Sequence, residues 1–143
     1  MKTREAIRIL LVEDDEVDRM AVIRGLDRAG IEAEIKVASD GLEALAILRG
    51  ENGDSIERPY VVILDLNMPR LDGLGFLKEL RNDPTLKRNV VFVFSTSDND
   101  EDQRAAYEHL VAGYIVKGHA GNDISGLVNL LKSYWQVVAL PLV

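Results

Sequence analysis

The feature that most restricts the fold of this chain is a regular alternation of short apolar runs with longer segments of helical spacing. Three of the runs, Ile7–Val12, Tyr60–Leu64 and Val90–Phe94, are nearly continuous and rich in β-branched residues. Such runs are typical of parallel strands that are covered on both faces. Two further runs, Ala33–Val37 and Gly113–Val116, complete a set of five predicted strands.

Segments with helical periodicity separate and follow these strands. They run from about Glu16 to Ala29, from Asp40-Gly41, from Asp72-Gly73, from just after Ser97-Asp98, and from roughly Asn122 to Ala139. Strict alternation of strands and helices predicts an α/β domain, a doubly wound five-stranded parallel sheet with five helices. Right-handed crossovers leave few arrangements, and the strand order 2-1-3-4-5 is a common one for such a sheet.

Composition narrows the functional classes. The 143 residues fit one domain (1–143), and the absence of cysteine excludes disulfides, thiolate catalysis and cysteine-based zinc sites. A net charge of −7 argues against nucleic acid as a partner, because binding to phosphates needs a basic face. No apolar run approaches the ~18 residues that span a membrane, and the N-terminus has no signal-peptide pattern. We therefore expect a cytoplasmic protein with no membrane or nucleic-acid partner.

Chemically reactive side chains follow four of the predicted strands. They are Glu13, Asp14 and Asp15 after the first strand, Asp65 after the third, Ser95, Thr96 and Ser97 after the fourth, and Lys117 after the fifth. Ligands of an open parallel sheet lie beyond the carboxyl ends of its strands, so these residues are expected to converge there. Neighbouring carboxylates repel one another unless a cation intervenes, and Mg²⁺ prefers oxygen ligands. A carboxylate can also accept a phosphoryl group, which a lysine and a hydroxyl can then bind.

Each element of this pattern has a simpler structural interpretation. An acidic run after a strand is usually a solvated loop, Asp65 could cap a turn, and a lysine at a strand end is usually exposed. Ser97 or Asp98 is a suitable N-cap for the fourth helix. His109 and His119 form no sensible catalytic or metal-binding pair and are interpreted as surface or structural residues. Only the convergence of four loops favours a phosphoryl-binding site over these alternatives.

Four segments, taken in order, resemble the receiver domains of two-component response regulators, the CheY-like family. They are Ile9–Asp15, Leu64–Gly73, Phe94–Ser97 and Gly113–Lys117. The resemblance covers essentially the whole chain and implies the flavodoxin-like fold. It also implies a phosphoacceptor in a pathway from histidine kinase to aspartate, whose output is protein–protein interaction. Such a protein is not an enzyme beyond catalysing its own phosphorylation and dephosphorylation.

The resemblance also implies a role for each site residue. Asp65 is the phospho-acceptor, and Asp14, Asp65 and the backbone carbonyl of Asn67 bind Mg²⁺, with Glu13 acting through water. Ser95 matches the switch hydroxyl of the family, and Tyr114 matches the aromatic residue that reorients with it. Lys117 matches the lysine that contacts the phosphate.

One position departs from the family pattern, which usually has proline after the lysine, often with a cis peptide bond. Here Gly118 follows Lys117, and we expect a trans bond because a cis bond before a residue other than proline costs about 2.5–4 kcal/mol. The acidic stretch Asp98–Asp102 after Thr96-Ser97, together with Tyr107, resembles the small regulators that partner phytochrome-type histidine kinases.

The last helix and its apolar extension (122–143) suggest a dimer surface. One stripe of helical spacing comprises Ile124, Val128, Leu131, Trp135 and Val138, and a second comprises Leu127, Leu130, Tyr134 and Val137. Packing on a sheet needs one stripe, so the second, with Leu140, Leu142 and Val143, is predicted to form a homodimer interface. The alternative is a wide core-facing arc on a helix that extends beyond the sheet.

Two rival functions remain. A hydrolase with an aspartyl nucleophile would need a further acid, for which Asp15 is the candidate, and a cap that no insertion supplies. A phosphorylation-independent pseudo-receiver would serve only as a binding module. The complete acidic set argues against this second rival, whereas Gly118 keeps it open.

Overall fold

The computed structural model describes residues 6–118 and 123–142, and its sheet has five parallel strands in the order β2-β1-β3-β4-β5. The strands are β1 (Ile7–Val12), β2 (Ala33–Ala38), β3 (Val61–Leu64), β4 (Val91–Ser95) and β5 (Gly113–Val116). The predicted fold class and strand order are confirmed.

The described residues form five helices, and short acidic or amide side chains cap the N-termini of the first four. The helices are α1 (Glu16–Arg28), α2 (Gly41–Arg49), α3 (Gly73–Asn82), α4 (Asp100–Glu108) and α5 (Asp123–Val137). Asp15, Asp40 and Asp72 cap the first three by accepting backbone N–H groups of the first turn. Such caps satisfy donors that have no partner within the helix.

The predicted N-cap of α4 is wrong. Asn99, rather than Ser97 or Asp98, accepts the backbone N–H of Asp102 at 2.8 Å. Ser97 instead donates its hydroxyl to the Asp102 carboxylate at 2.5 Å. The helix therefore begins at Asp100, one residue later than a start just after Asp98 would place it.

Side chains of the central strands alternate between two cores, one on each face of the sheet. Leu10 and Val12 face the core that holds Phe76 of α3, whereas Ile9 and Leu11 face the core that holds residues of α1 and α5. Because both faces of β1 and β3 are covered, their sequences lack the polar alternation of a half-exposed strand.

The second stripe of α5 packs mainly within the fold. Leu127 is completely buried, so its assignment to a dimer interface is wrong. Leu130 and Tyr134 are half-buried against the same core, with the Tyr134 ring edge-on to Phe92 at 5.1 Å between centroids. Val137 alone of the four predicted interface residues is largely exposed, at 81%.

The prediction for residues 122–143 is confirmed in some parts and wrong in others. α5 ends at Val137, two residues before the predicted Ala139. Leu140 is buried and Leu142 is exposed, whereas Asn122 and Val143 lie outside the described residues. Within the part of the chain that the structure describes, no helix is both long and apolar enough to cross a membrane.

Candidate functional site

Three carboxylates meet at the carboxyl ends of β1 and β3. One oxygen from each of Glu13, Asp14 and Asp65 lies within 4.8 Å of the others. The strand register causes this convergence, because Val12 of β1 pairs with Leu64 of β3 and the next residues leave the sheet side by side. Glu13 and Asp65 are buried, at 3% and 8% exposure, whereas Asp14 is exposed.

Main-chain hydrogen bonds fix the two acidic strand ends. The N–H of Asp65 donates to the Val12 carbonyl at 3.0 Å, and the N–H of Glu13 donates to the Ala38 carbonyl at 2.9 Å. Arg19 of α1 donates to the carbonyls of Glu13 and Asp14, both at 3.0 Å. This role of Arg19 was not predicted, because the contact depends on how α1 is oriented relative to the loop that precedes it.

The loop between β3 and α3 packs tightly against the site. A Cβ atom on Gly73 would lie 2.6 Å from the carbonyl oxygen of Asp65, a distance that real Cβ atoms do not adopt. On its other side, Arg70 forms an ion pair with the buried Asp40, with Nη2 at 2.6 Å from Oδ2. Arg70 has a left-handed backbone with φ of 62°. This loop is thereby anchored to the start of α2.

Burial dominates the electrostatics of Glu13. It raises the pKa of this carboxyl group to about 7, with the hydrogen bond from Lys117 acting in the opposite direction and the charge of Asp65 adding to the rise. Burial therefore disfavours the negatively charged form of the Glu13 carboxyl group when only protein groups surround it.

Lys117 forms ion pairs with two acids. Its Nζ donates to Glu13 and, at 3.1 Å, to Asp18 Oδ2. It also lies 5.2 Å from the centre of the Phe94 ring. Burial opposes its charge, but the hydrogen bond to Glu13, the charge of Asp65 and the bond to Asp18 raise its pKa overall. Lys117 therefore lies at the predicted site as a cation, but its partner Asp18 was missed.

The Lys117–Gly118 peptide bond is trans, as predicted, and Gly118 has a φ of 85°. This left-handed conformation suits glycine, which has no Cβ to clash with the backbone. The backbone N–H of Lys117 donates to the Ser95 carbonyl at 2.8 Å, so β4 and β5 end in register. Replacement of the family proline therefore leaves the strand end that presents Lys117 in place.

A hydrogen-bonded network joins the end of β4 to α4 and β5. Ser95 is completely buried, and its Oγ accepts the backbone N–H of Ser97 at 3.3 Å. The Tyr114 hydroxyl donates to the Ser97 carbonyl at 2.8 Å, and burial is the main cause of its raised pKa. The predicted switch residues Ser95 and Tyr114 thus share one neighbour, Ser97.

The positions of Asn67 and of the two histidines complete the comparison with the sequence-based predictions. Asn67 is exposed in the loop after Asp65, and the role of its carbonyl stays a prediction. His109 is the C-cap residue that follows α4, and its carbonyl accepts a hydrogen bond from Arg81 at 2.6 Å. His119 lies outside the described residues.

The donor set of the acidic cluster suits a hard divalent cation. Carboxylate oxygens are the ligands that such cations prefer, and the cluster offers three of them from different loop positions. A cation at this position would also offset the burial and the smaller repulsion from Asp65 that raise the pKa of Glu13.

Comparison with known proteins identifies the family to which this chain belongs. Residues 9–129 match the model of the response regulator receiver domain. The chain therefore belongs to the receiver domains of two-component response regulators, a family whose members bind divalent metal and are phosphorylated by histidine kinases.

Among its relatives, the chain is similar to response regulator Rcp1 from Synechocystis sp., with 40% identity over 136 residues that cover 93% of this chain and 92% of that protein. The crystal structure of the Mn²⁺-bound form of Rcp1 matches with a TM-score of 0.82 at 38% identity, covering 94% of this chain and 99% of that one. The phosphorylated cyanobacterial phytochrome response regulator RcpA matches with a TM-score of 0.80 at 36% identity, covering 96% and 99%. Within its family, the chain is thus similar to Rcp1 and to a phytochrome response regulator.

Proposed function

We propose that this receiver domain accepts a phosphoryl group on Asp65 with Mg²⁺ as the cofactor, and that it signals through protein–protein contacts. The observation that supports the proposal most directly is the approach of the Glu13, Asp14 and Asp65 carboxylates to within 4.8 Å. Asp65 is buried and directly follows the central strand β3, whose neighbour β4 ends at Ser95, and Lys117 follows the next strand, β5.

Glu13, Asp14 and Asp65 would hold the cation, together with the Asn67 carbonyl. Mg²⁺ would supply neutralisation of the phosphate oxygens during transfer. The Mn²⁺-bound form of the similar regulator Rcp1 supports a divalent cation at such a site. The choice of Mg²⁺ follows from its usual association with phosphoryl groups and carboxylates.

The chemistry assigned to the protein is nucleophilic attack by Asp65. A carboxylate oxygen of Asp65 forms a bond to phosphorus while the bond between phosphorus and the donor breaks, and the donor leaves with that electron pair. Lys117 and the Ser95 hydroxyl then bind phosphoryl oxygens as charged and neutral hydrogen-bond donors.

The switch would act through the network around Ser97. Movement of Ser95 toward the phosphoryl group alters the segment that accepts the Tyr114 hydroxyl, so Tyr114 reorients. The surface formed by α4, β5 and α5 then changes, and partners that prefer this form shift the population toward it.

The proposed donor is a sensor histidine kinase of the phytochrome type. This assignment is supported by the similarity to the phytochrome response regulator RcpA over 96% of the chain. Transfer of labelled phosphate from purified phytochrome kinases would test the donor separately from the acceptor.

The first prediction tests the acceptor. Incubation with acetyl phosphate and Mg²⁺ should add one phosphoryl group, detected by intact-protein mass spectrometry, and Asp65→Asn should abolish the adduct. Chelation of the metal should also suppress it, because phosphoryl transfer depends on charge neutralisation. Asp72→Asn is the matched control, since Asp72 is an exposed helix cap and asparagine caps about as well.

The result also separates the rival functions. A stoichiometric adduct that is lost in Asp65→Asn supports the regulator, and an adduct that persists in the variant contradicts the assignment of Asp65. If the unmutated chain gains no phosphate, the pseudo-receiver is favoured. Sustained turnover of generic phosphate esters would favour a hydrolase instead of a protein that modifies only itself.

We also propose a homodimer that forms through the C-terminal segment. The surface is smaller than the sequence predicted, because Leu127 is buried within the fold. Val137 and Leu142 remain as largely exposed apolar side chains near the end of α5, at 81% and 68% exposure. A second copy is the proposed occupant because a two-fold contact would bring the same apolar side chains together.

A further inference from the structure

Lys117 lies between two carboxylates, and only one of them belongs to the acidic cluster. Glu13 is a member of the cluster, whereas Asp18 is the third residue of α1 and lies outside it. The Lys117 side chain is only 9% exposed, but the Asp18 side chain is 41% exposed. A buried cation is therefore shared between one buried acid and one acid at the surface.

The charges around Lys117 are unbalanced. Two carboxylates contact one ammonium group, so the group of three carries a net charge of −1 when both acids are ionised. A phosphoryl group on Asp65 adds at least one further negative charge nearby. The attraction between Lys117 and that group is weakened as long as both acids contact the ammonium.

Of the two acids, Asp18 is the one that can withdraw readily. Glu13 is 3% exposed and held in the acidic cluster, whereas the exposed side of Asp18 gives its carboxylate access to water. Withdrawal of Asp18 costs little, because water can solvate the released carboxylate while a phosphoryl oxygen takes its place at Lys117. The ion pairs that Lys117 forms in this structure are with Glu13 and Asp18, and it forms none with Asp65.

We propose that Asp18 is a positioning residue that competes with the phosphoryl group for Lys117. In the unphosphorylated protein Asp18 holds the ammonium group, and phosphorylation of Asp65 requires Lys117 to exchange Asp18 for a phosphoryl oxygen. Asp18 thereby slows phosphorylation, and the inference rests on the proposed function of Asp65 as acceptor.

The test compares rate constants for phosphorylation by acetyl phosphate at saturating Mg²⁺. Asp18→Asn should raise the rate constant by about two- to fivefold, the range that corresponds to a partly exposed ion pair. Glu16→Gln is the matched control, because it removes the same charge from the same helical turn without breaking an ion pair within the described residues. Its rate constant should stay at the unmutated value.

Two further variants show whether the effect passes through Lys117. Asp18→Glu keeps a carboxylate that can reach the ammonium group, so it should stay close to the unmutated rate. In a Lys117→Met background, Asp18→Asn should give no further increase. An increase that survives in this background would assign the effect to general repulsion of the phosphodonor and overturn the proposal.

A second measurement does not depend on phosphorylation. The ¹⁵N NMR signal of the Lys117 ammonium group should shift in Asp18→Asn and stay in place in Glu16→Gln. An unshifted signal, or a rate that falls or stays constant in Asp18→Asn, contradicts the competition. If the unmutated chain gains no phosphate at all, the proposed function fails first, and the NMR comparison still decides whether Asp18 holds Lys117.

Discussion

At the residue scale, the site depends on a glycine that no catalytic argument would select. Gly73 opens α3, and its Cα lies against the backbone that follows β3, where a Cβ would be 2.6 Å from both the Asp65 carbonyl oxygen and the Leu66 Cα. These are backbone atoms, which cannot move aside as the end of a flexible side chain can. Any larger residue must therefore move α3 away from Asp65.

We predict that Gly73→Ala lowers the free energy of unfolding by about 1–3 kcal/mol, the usual cost of forcing an extra methyl group into a filled space. It should also slow phosphorylation, because Asp65 is displaced. Urea unfolding and the acetyl phosphate assay measure the two effects.

The matched control is Gly126→Ala in α5, where an added Cβ meets nothing within 4 Å. There alanine should stabilise the protein by about 0.5–1 kcal/mol, since glycine is the poorer helix former. Equal effects of the two substitutions would show that the close approach at Gly73 has no energetic consequence.

At the element scale, one half-buried arginine connects helices to loops on the side of the molecule away from the acidic cluster. The guanidinium of Arg81, in the last turn of α3, donates to four carbonyls, those of Lys87, Asn89, His109 and Leu110, at 2.6 to 3.1 Å. Burial lowers the pKa of this guanidinium, and the contacts tie the end of α4 to the turn that precedes β4.

Arg81→Met should therefore lower the free energy of unfolding by about 1–3 kcal/mol, because the partly buried carbonyls of Asn89 and His109 lose a charged donor. Denaturant unfolding gives the value. Arg49→Met is the control, since Arg49 forms an ion pair with Asp83 with 37% of its own side chain exposed, and partly exposed pairs contribute at most about 1 kcal/mol. Similar losses in the two variants would contradict a special role for Arg81.

At the scale of the whole molecule, the exposed apolar end of α5 bears on the oligomeric state. Analytical ultracentrifugation should show a dimer whose dissociation constant rises by at least about tenfold in Val137→Glu, because each copy loses an apolar contact. Leu42→Glu on α2 is the control, with a half-exposed apolar side chain on the opposite face of the sheet. A monomer at every concentration, with or without phosphate, would rule out this dimer.

Local sequence determined most of the architecture and the identity of the acidic site. Apolar runs with both faces buried predict parallel strands, and the order of elements then leaves few topologies. Because strand ends meet at one edge of such a sheet, the residues that follow Val12 and Leu64 had to be neighbours. Glu13, Asp14 and Asp65 could therefore be selected from the sequence.

Only the tertiary structure decided which side chains those residues contact. The pairing of Lys117 with Asp18, the hydrogen bonds from Arg19 and the burial of Leu127 depend on how helices are rotated and placed on the sheet. A helical sequence fixes which residues share a face, but the neighbouring elements fix how wide the buried arc is and which polar groups lie within reach. Strand periodicity thus predicted the site, whereas its ion pairs arise from packing between elements distant in sequence.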